Sequence, residues 1–112
     1  MKKVVDITEA VFLNGITTIP ASPSTVLVAD SFLRVVYSVD TKTGAYAAAL
    51  DEPAFKPLAS AAFLLGINGI RVSSDGHYIY FTNSFRAPLL GRMPITSKGT
   101  AAGSVETIAA AA

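Results

Sequence analysis

Few side chains in this chain can do chemistry, and their spacing decides most of what they could do. The single histidine, His77, follows Asp75-Gly76, and Ser74 stands just before that pair. Serine, histidine and aspartate perform acyl transfer when separate elements bring them together with the imidazole between the other two groups. Residues this close on one tight turn cannot take up that arrangement, so the group reads as a solvated hairpin. No cysteine occurs, which removes disulfides, thiolate nucleophiles and cysteine metal sites together. Arg71, Arg86 and Arg92 are dispersed, and no Gly-x-Gly-x-x-Gly run accompanies them to cradle a phosphate. They are expected to balance local carboxylates or to cover apolar surface with their stems. Arg86, which follows Asn83-Ser84-Phe85 in a loop, is the arginine placed to reach a polar substrate. Asn14 and Asn68 each open an Asn-Gly-Ile triplet, a position where the carboxamide can bond nearby backbone. Asp30 and Asn83 each close an apolar run and are expected to tie down the turn that follows.

The repeated triplet indicates how these residues are positioned. Asn68 stands 54 residues after Asn14, Asn83 stands 53 after Asp30, and Gly99 stands 55 after Gly44. Three matches in one order, at nearly one offset, mark a structural repeat whose drift is loop length. Within each copy the chain reads as short strands separated by turn residues. Residues 14–19 are rich in Ile and Thr and stop at Pro20; 25–29 are nearly all apolar, as in a strand buried on both faces. Residues 34–40 and 45–50 flank Thr41-Lys42-Thr43-Gly44, a hairpin loop whose glycine supplies positive φ. In the second copy, 68–72 and 77–82 flank Ser73-Ser74-Asp75-Gly76, a strong hairpin signal. Strands at 89–95, where Pro94 demands an edge or irregular position, and 104–108 complete it. Residues 4–7 form a β-branched run that suits an outer strand of a preceding unit.

A period above fifty residues built only from short strands is the signature of propeller blades. The fold class is therefore all-β: two four-stranded antiparallel β-propeller blades with one stray N-terminal strand, part of a larger propeller that the family resemblance given below implies to be six-bladed. The expected division is 4–7 as the outer strand of a preceding blade, 12–51 as the first blade, 52–66 as an inter-blade loop and 67–112 as the second blade. The loop is too long for a tight turn, contains Pro53 and Pro57, and could hold a helical turn over 59–65, with Phe55, Phe63 and Leu64 packing over the sheet.

Composition agrees with incomplete burial. Hydrophobic residues make up 51% of the chain and charged residues only 15%, too little polar coat for a closed small domain. The excess apolar surface is intended for further blades. Rings close with about 4 to 8 blades, so the chain is either a fragment or part of a homo-oligomer; three copies would supply six. A formal net charge of +1 gives no field that would draw nucleic acid or a membrane. No apolar run approaches the roughly 20 residues that span a bilayer. Asp6 and Glu9 interrupt what would be the apolar part of a signal peptide.

Phe12-Leu13-Asn14-Gly15-Ile16, Val26-Leu27-Val28-Ala29-Asp30-Ser31, Val36-Tyr37-Ser38-Val39-Asp40, Gly66-Ile67-Asn68-Gly69-Ile70 and Tyr80-Phe81-Thr82-Asn83-Ser84 together carry a likeness. In this ordered set the chain resembles the gluconolactonase and senescence-marker-protein family, particularly its fungal members. The likeness covers nearly the whole chain and about a third of that family's six-bladed ring. It implies a metal-dependent lactone or ester hydrolase, with Asn14 and Asn68 presenting carboxamide oxygens to a divalent cation in the central channel, calcium above all. It also implies a small-molecule lactone or ester as substrate, with Arg86 near the channel mouth. The family's Gly-Glu-Gly-Pro-like element, which supplies a carboxylate ligand, has no match here. Two neutral amides bind a divalent cation weakly, so the isolated chain is expected to be inactive. The competing expectation is a noncatalytic propeller-like module for self-association or protein binding.

Overall fold

A computed structural model describes residues 3–57, 65–83 and 89–110. It contains two four-stranded antiparallel sheets, each a simple meander. The first comprises β1 (Leu13–Ile19), β2 (Ser22–Asp30), β3 (Val35–Asp40) and β4 (Tyr46–Leu50). The second comprises β5 (Ile70–Val72), β6 (Tyr78–Asn83), β7 (Leu89–Pro94) and β8 (Glu106–Ala110). The eight strands fall within a few residues of where apolar runs and turn residues placed them, the largest shift being β2, which begins at Ser22 and not at Thr25. Among the described residues, no helix is long and apolar enough to cross a membrane.

The register shows that the repeat is structural. Val26 pairs with Val39 and Val28 with Tyr37, while one repeat later Ile79 pairs with Met93 and Phe81 with Gly91. Side chains alternate across a strand, so one face of each sheet turns toward its neighbour. Ile19, Leu27, Ala29 and Val36 from the first sheet meet Ile70, Ile79, Phe81 and Met93 from the second in one buried cluster. Gly91 lies opposite Phe81 because any larger residue would strike the ring; a Cβ there would sit 2.7 Å from the ring edge. Beyond β4 the chain makes a short 3-10 turn, Pro53–Phe55, which seats Phe55 edge-on against Phe81 with ring centroids 4.9 Å apart. Residues 58–64, where a helical turn and the packing of Phe63 and Leu64 were expected, lie outside the described residues.

Two turns follow from their residue types. Asp40 accepts from the backbone N–H groups of Lys42 and Thr43, and Gly44 closes the hairpin at φ 78°. Pro94 is accommodated because the β7–β8 ladder has already ended at Arg92–Glu106, so no ladder donor is needed there.

The N-terminal segment departs from expectation. Residues 4–7 are not a strand; they are irregular and join neither sheet. A strand needs a ladder partner, and this segment instead crosses the face of the first sheet that points away from the second. Val4 and Val5 lie against Gly44, the Tyr46 hydroxyl donates to Glu9 at 3.4 Å, and the Val11 and Phe12 N–H groups donate to Asp30. Burial under this segment, with the Asp30 and Glu9 carboxylates close by, pushes the Tyr37 phenol above its ordinary range.

Candidate ligand groove between the inner strands

The two sheets approach most closely along their first strands. β1 and β5 are edge strands of their own sheets and lie side by side. Three hydrogen bonds and one close backbone approach tie the two sheets there. Val72 N–H donates to Thr17 Oγ1 at 3.0 Å. Buried Ser31 donates its hydroxyl to the Ile67 carbonyl at 2.7 Å, and its own carbonyl accepts from Gly66 N–H at 2.7 Å. Gly15, at φ 71° in a bulge between Asn14 and Ile16, lies directly against the Asn68 carbonyl, where a Cβ would overlap the backbone oxygen. Sequence reading missed Thr17 and Ser31. Their only sequence signal is a hydroxyl residue in, or just after, an otherwise apolar strand.

The repeated asparagines stand together at the starting end of these strands with unlike surroundings. Asn68 Oδ1 accepts from its neighbour Gly69 N–H at 2.7 Å and from Thr82 Oγ1 at 2.6 Å, the bonding of a turn-forming residue. Asn14 is exposed and donates to Ser31 Oγ at 3.4 Å. A divalent cation of the calcium type needs six or more oxygens, several of them carboxylate. Among the described residues, no group of three His, Cys, Asp or Glu side chains could hold a metal ion. The carboxylate beside the start of β1 is Asp30. It is fully buried and accepts from Val11, Phe12, Phe32 and Leu33 N–H groups at 2.8 to 3.2 Å. Burial works to raise its pKa, yet the four backbone donors together hold it below the ordinary aspartate value. This donor set does not by itself fit a divalent cation.

Farther along the same strands an open groove of about 610 Å³ runs between Ile16, Thr18 and Pro20 on one side and Arg71, Ser73 and Ser74 on the other. Arg71 is exposed and makes no ion pair among the described residues. Arg92, by contrast, behaves as expected from the sequence. It donates to Tyr80 and to Glu106, which hold its pKa above the ordinary arginine value, and it lies 4.3 Å from the centre of the Tyr78 ring. Arg86 lies outside the described residues.

The hairpin at the end of the groove holds no triad. Ser73 donates to Asp75 at 2.6 Å, Asp75 accepts from His77 N–H at 3.0 Å, and His77 Nδ1 is 3.6 Å from the same carboxylate. The Ser73 and His77 donors hold the exposed Asp75 carboxyl below its ordinary range. The Ser73 hydroxyl therefore faces the aspartate and not the imidazole, and Ser74, the serine of the sequence group, lines the groove with no hydrogen bond to Asp75 or His77 among the described residues, so nothing here activates a nucleophile.

A solved structure has this arrangement of strands and turns. The PQQ-bound aldose sugar dehydrogenase from Streptomyces coelicolor superposes with a TM-score of 0.66 at 22% sequence identity, over 86% of this chain. The fold is that of a β-propeller segment. The two sheets are thus blades 1 and 2, and β1 and β5 their first strands. The chain spans only 29% of the length of that dehydrogenase. No family model matches the sequence, and no curated protein matches it.

Proposed function

We propose that this chain supplies two adjacent blades of a propeller that handles sugar-derived small molecules, with the groove between β1 and β5 as its share of the ligand site. The observation that carries this reading is Arg71, an exposed guanidinium beside hydroxyl groups on a groove of about 610 Å³. A guanidinium flanked by hydroxyls suits the carboxylate or hydroxyls of a sugar acid or its lactone. Two likenesses support the substrate class: the ordered motifs by which the sequence resembles gluconolactonases, and a propeller neighbour described as an aldose sugar dehydrogenase. Lactone hydrolysis needs an activated water and a stabilised oxyanion. The described residues offer no general base on the groove, and Asn14 with Asn68 does not make a calcium site. Hydrolysis accordingly belongs to a completed ring, to which Asn14 and Asn68 would bring two amide oxygens and Arg86 a further cation.

The test is a titration of the isotopically labelled chain with gluconate and with gluconolactone, followed by amide chemical shifts, beside a hydrolysis assay with and without calcium. Shifts are expected at Thr18, Arg71, Ser73 and Ser74, weak in affinity and lost in Arg71→Ala, with no hydrolysis above background. Binding that survives Arg71→Ala, or no binding, would remove the groove from consideration. Calcium-dependent hydrolysis abolished by Asn68→Ala would restore a metal site that the donor set argues against.

A further inference from the structure

The two Asn-Gly pairs have nearly the same neighbours in sequence, Leu13-Asn14-Gly15-Ile16 and Ile67-Asn68-Gly69-Ile70, but not in space. Asn14 is a strand residue that pairs with Ala29 across the β1–β2 ladder, and its amide nitrogen donates to Ser31 at 3.4 Å. Asn68 precedes β5, and its side chain folds back onto the next peptide. Gly69 N–H donates to Asn68 Oδ1 at 2.7 Å and to Thr82 Oγ1 at 3.2 Å, while the Thr82 hydroxyl donates to Asn68 Oδ1 at 2.6 Å. A backbone N–H can only donate, which fixes the oxygen of the amide, and not its nitrogen, at this point. Two backbone bonds keep Thr82 in place: Asn68 N–H donates to the Thr82 carbonyl and Thr82 N–H to the Gly69 carbonyl, each at 3.0 Å. At the offset of 53 that relates Asn83 to Asp30, the blade 1 counterpart of Thr82 is Ala29, which has no hydroxyl.

A backbone nitrogen can attack the carboxamide of the residue before it and close a succinimide ring, and a following glycine puts no side chain in the way. The Gly69 nitrogen lies 2.7 Å from Oδ1, and with a carbonyl bond of about 1.23 Å it stands no more than about 3.9 Å from Cγ. A small rotation of the side chain brings this to the roughly 3–3.5 Å of a near-attack arrangement. We propose that Asn68-Gly69 is a self-modification site, at which the Thr82 hydroxyl relays the proton that lets Asn68 lose its amide. The Gly69 nitrogen bonds to Asn68 Cγ; its proton passes to Thr82 Oγ1 as the Thr82 proton passes to Oδ1. No charge builds up on either atom, because one hydroxyl acts as base toward the nitrogen and as acid toward the oxygen. The bond from Cγ to Nδ2 then breaks, the proton on Oδ1 leaves with that nitrogen as ammonia through solvent, and the succinimide remains. Water adds to either ring carbonyl, and opening gives aspartate or isoaspartate at residue 68. The aspartyl product keeps the main-chain path, and its carboxylate can accept the same two donors. The isoaspartyl product lengthens the main chain by a methylene where the Asn68 carbonyl abuts Gly15, so conversion disturbs the join between the blades.

Incubation of the full chain near neutral pH, followed by mass spectrometry of proteolytic fragments that separate asparagine, aspartate and isoaspartate, tests this. In the folded chain Asn68 is expected to convert at least about tenfold faster than Asn14, the lower end of what a positioned acid or base contributes. Thr82→Val should remove that advantage and Thr82→Ser restore it. Thr82 is exposed, and valine suits a strand, so both variants should fold, which circular dichroism checks. In urea, where only sequence neighbours remain, the two pairs should convert alike in every variant. Equal rates at Asn14 and Asn68 in the folded chain, faster conversion at Asn14, or a rate at Asn68 that Thr82→Val leaves unchanged would overturn the proposal. So would an Asn68 that converts in urea and stays intact in the folded chain, since its hydrogen bonds would then protect the amide.

Discussion

Blade 1 and blade 2 share one backbone plan and wire it in opposite senses. At the end of the second strand blade 1 has Asp30, which accepts four backbone N–H groups from the segment before β1 and from the turn after β2. At the equivalent position blade 2 has Asn83, whose amide nitrogen donates to the Ala54 and Lys56 carbonyls before β5. Both are fully buried, and both fasten the entry of a blade to the far end of its second strand. The polarity of the fastening is reversed because the entering segments differ: an irregular stretch offers N–H groups, whereas the 3-10 turn leaves carbonyls free. A repeat thus conserves where a tie is made while the chemistry of the tie follows the local backbone.

The widest separation between the blades is expected at their shared Asn-Gly-Ile. Gly15 has φ 71° and abuts the Asn68 carbonyl, whereas Gly69 has no positive φ and a Cβ there would meet only the Thr82 hydroxyl, at 2.9 Å. Gly15→Ala combines a left-handed conformation, about 1–2 kcal/mol, with backbone overlap of about 1–3 kcal/mol. A loss of roughly 3–4 kcal/mol is expected in chemical denaturation, against about 1 kcal/mol for Gly69→Ala, where a hydroxyl can rotate away. Equal losses would mean that the motif has one role in both blades.

The Asp30 and Asn83 pair separates the blades by charge. Asp30→Asn replaces a carboxylate with a group half of which is a donor facing donors, at a cost of about 2–3 kcal/mol. Asn83→Asp sets a carboxylate against two carbonyls, and its cost should be similar at neutral pH and smaller in acid, where the introduced acid is protonated and can donate. The native chain runs the other way. The Asp30 pKa is lowered by folding, so its contribution is complete above the ordinary aspartate value of 3.8 and is lost as pH falls through the folded value. Melting temperature measured against pH should therefore fall in acid for the native chain, with a shallower fall for Asp30→Asn.

Alternation, turn residues and the offset of 53 to 55 residues made the eight strands and their grouping legible in the sequence. Local chemistry dictates such features: Gly44 must turn, and the run 25–29 must form a strand, although only its Leu27 and Ala29 side is buried and not both faces as expected. The tie formed by Asp30 was foreseen only for the turn after β2, because its contacts with Val11 and Phe12 span 18 and 19 residues and depend on how the N-terminal segment returns. The same long-range geometry made residues 4–7 look like a strand, although among the described residues no strand offers them a ladder. The site was less legible than the fold. Asn14 and Asn68 were visible as a pair, but Asn68's bonds to Gly69 and Thr82 appear only once β6 is placed beside it. Arg71 was grouped with Arg92 as a charge-balancing arginine. Cross-strand register separates them, since Glu106 lies opposite Arg92 and no carboxylate lies opposite Arg71.

Thr17 and Arg71 occupy the same position in the two blades and give the smallest expected difference, which isolates what the contact between inner strands contributes. Thr17 accepts the Val72 N–H across the gap between blades. Thr17→Val keeps the shape and leaves that donor without its acceptor at a partly buried site, so a loss of about 1 kcal/mol is expected. Arg71→Val removes an exposed side chain with no ion pair among the described residues and should lie within about 0.5 kcal/mol of the native chain. The valine favours the strand in both cases, so any excess cost at Thr17 measures the bridging bond itself. Hydrogen exchange gives an independent reading, because the Val72 amide should lose protection in Thr17→Val and keep it in Arg71→Val. If Val72 stays protected without the hydroxyl, apolar packing between the blades, and not this bond, holds β1 against β5.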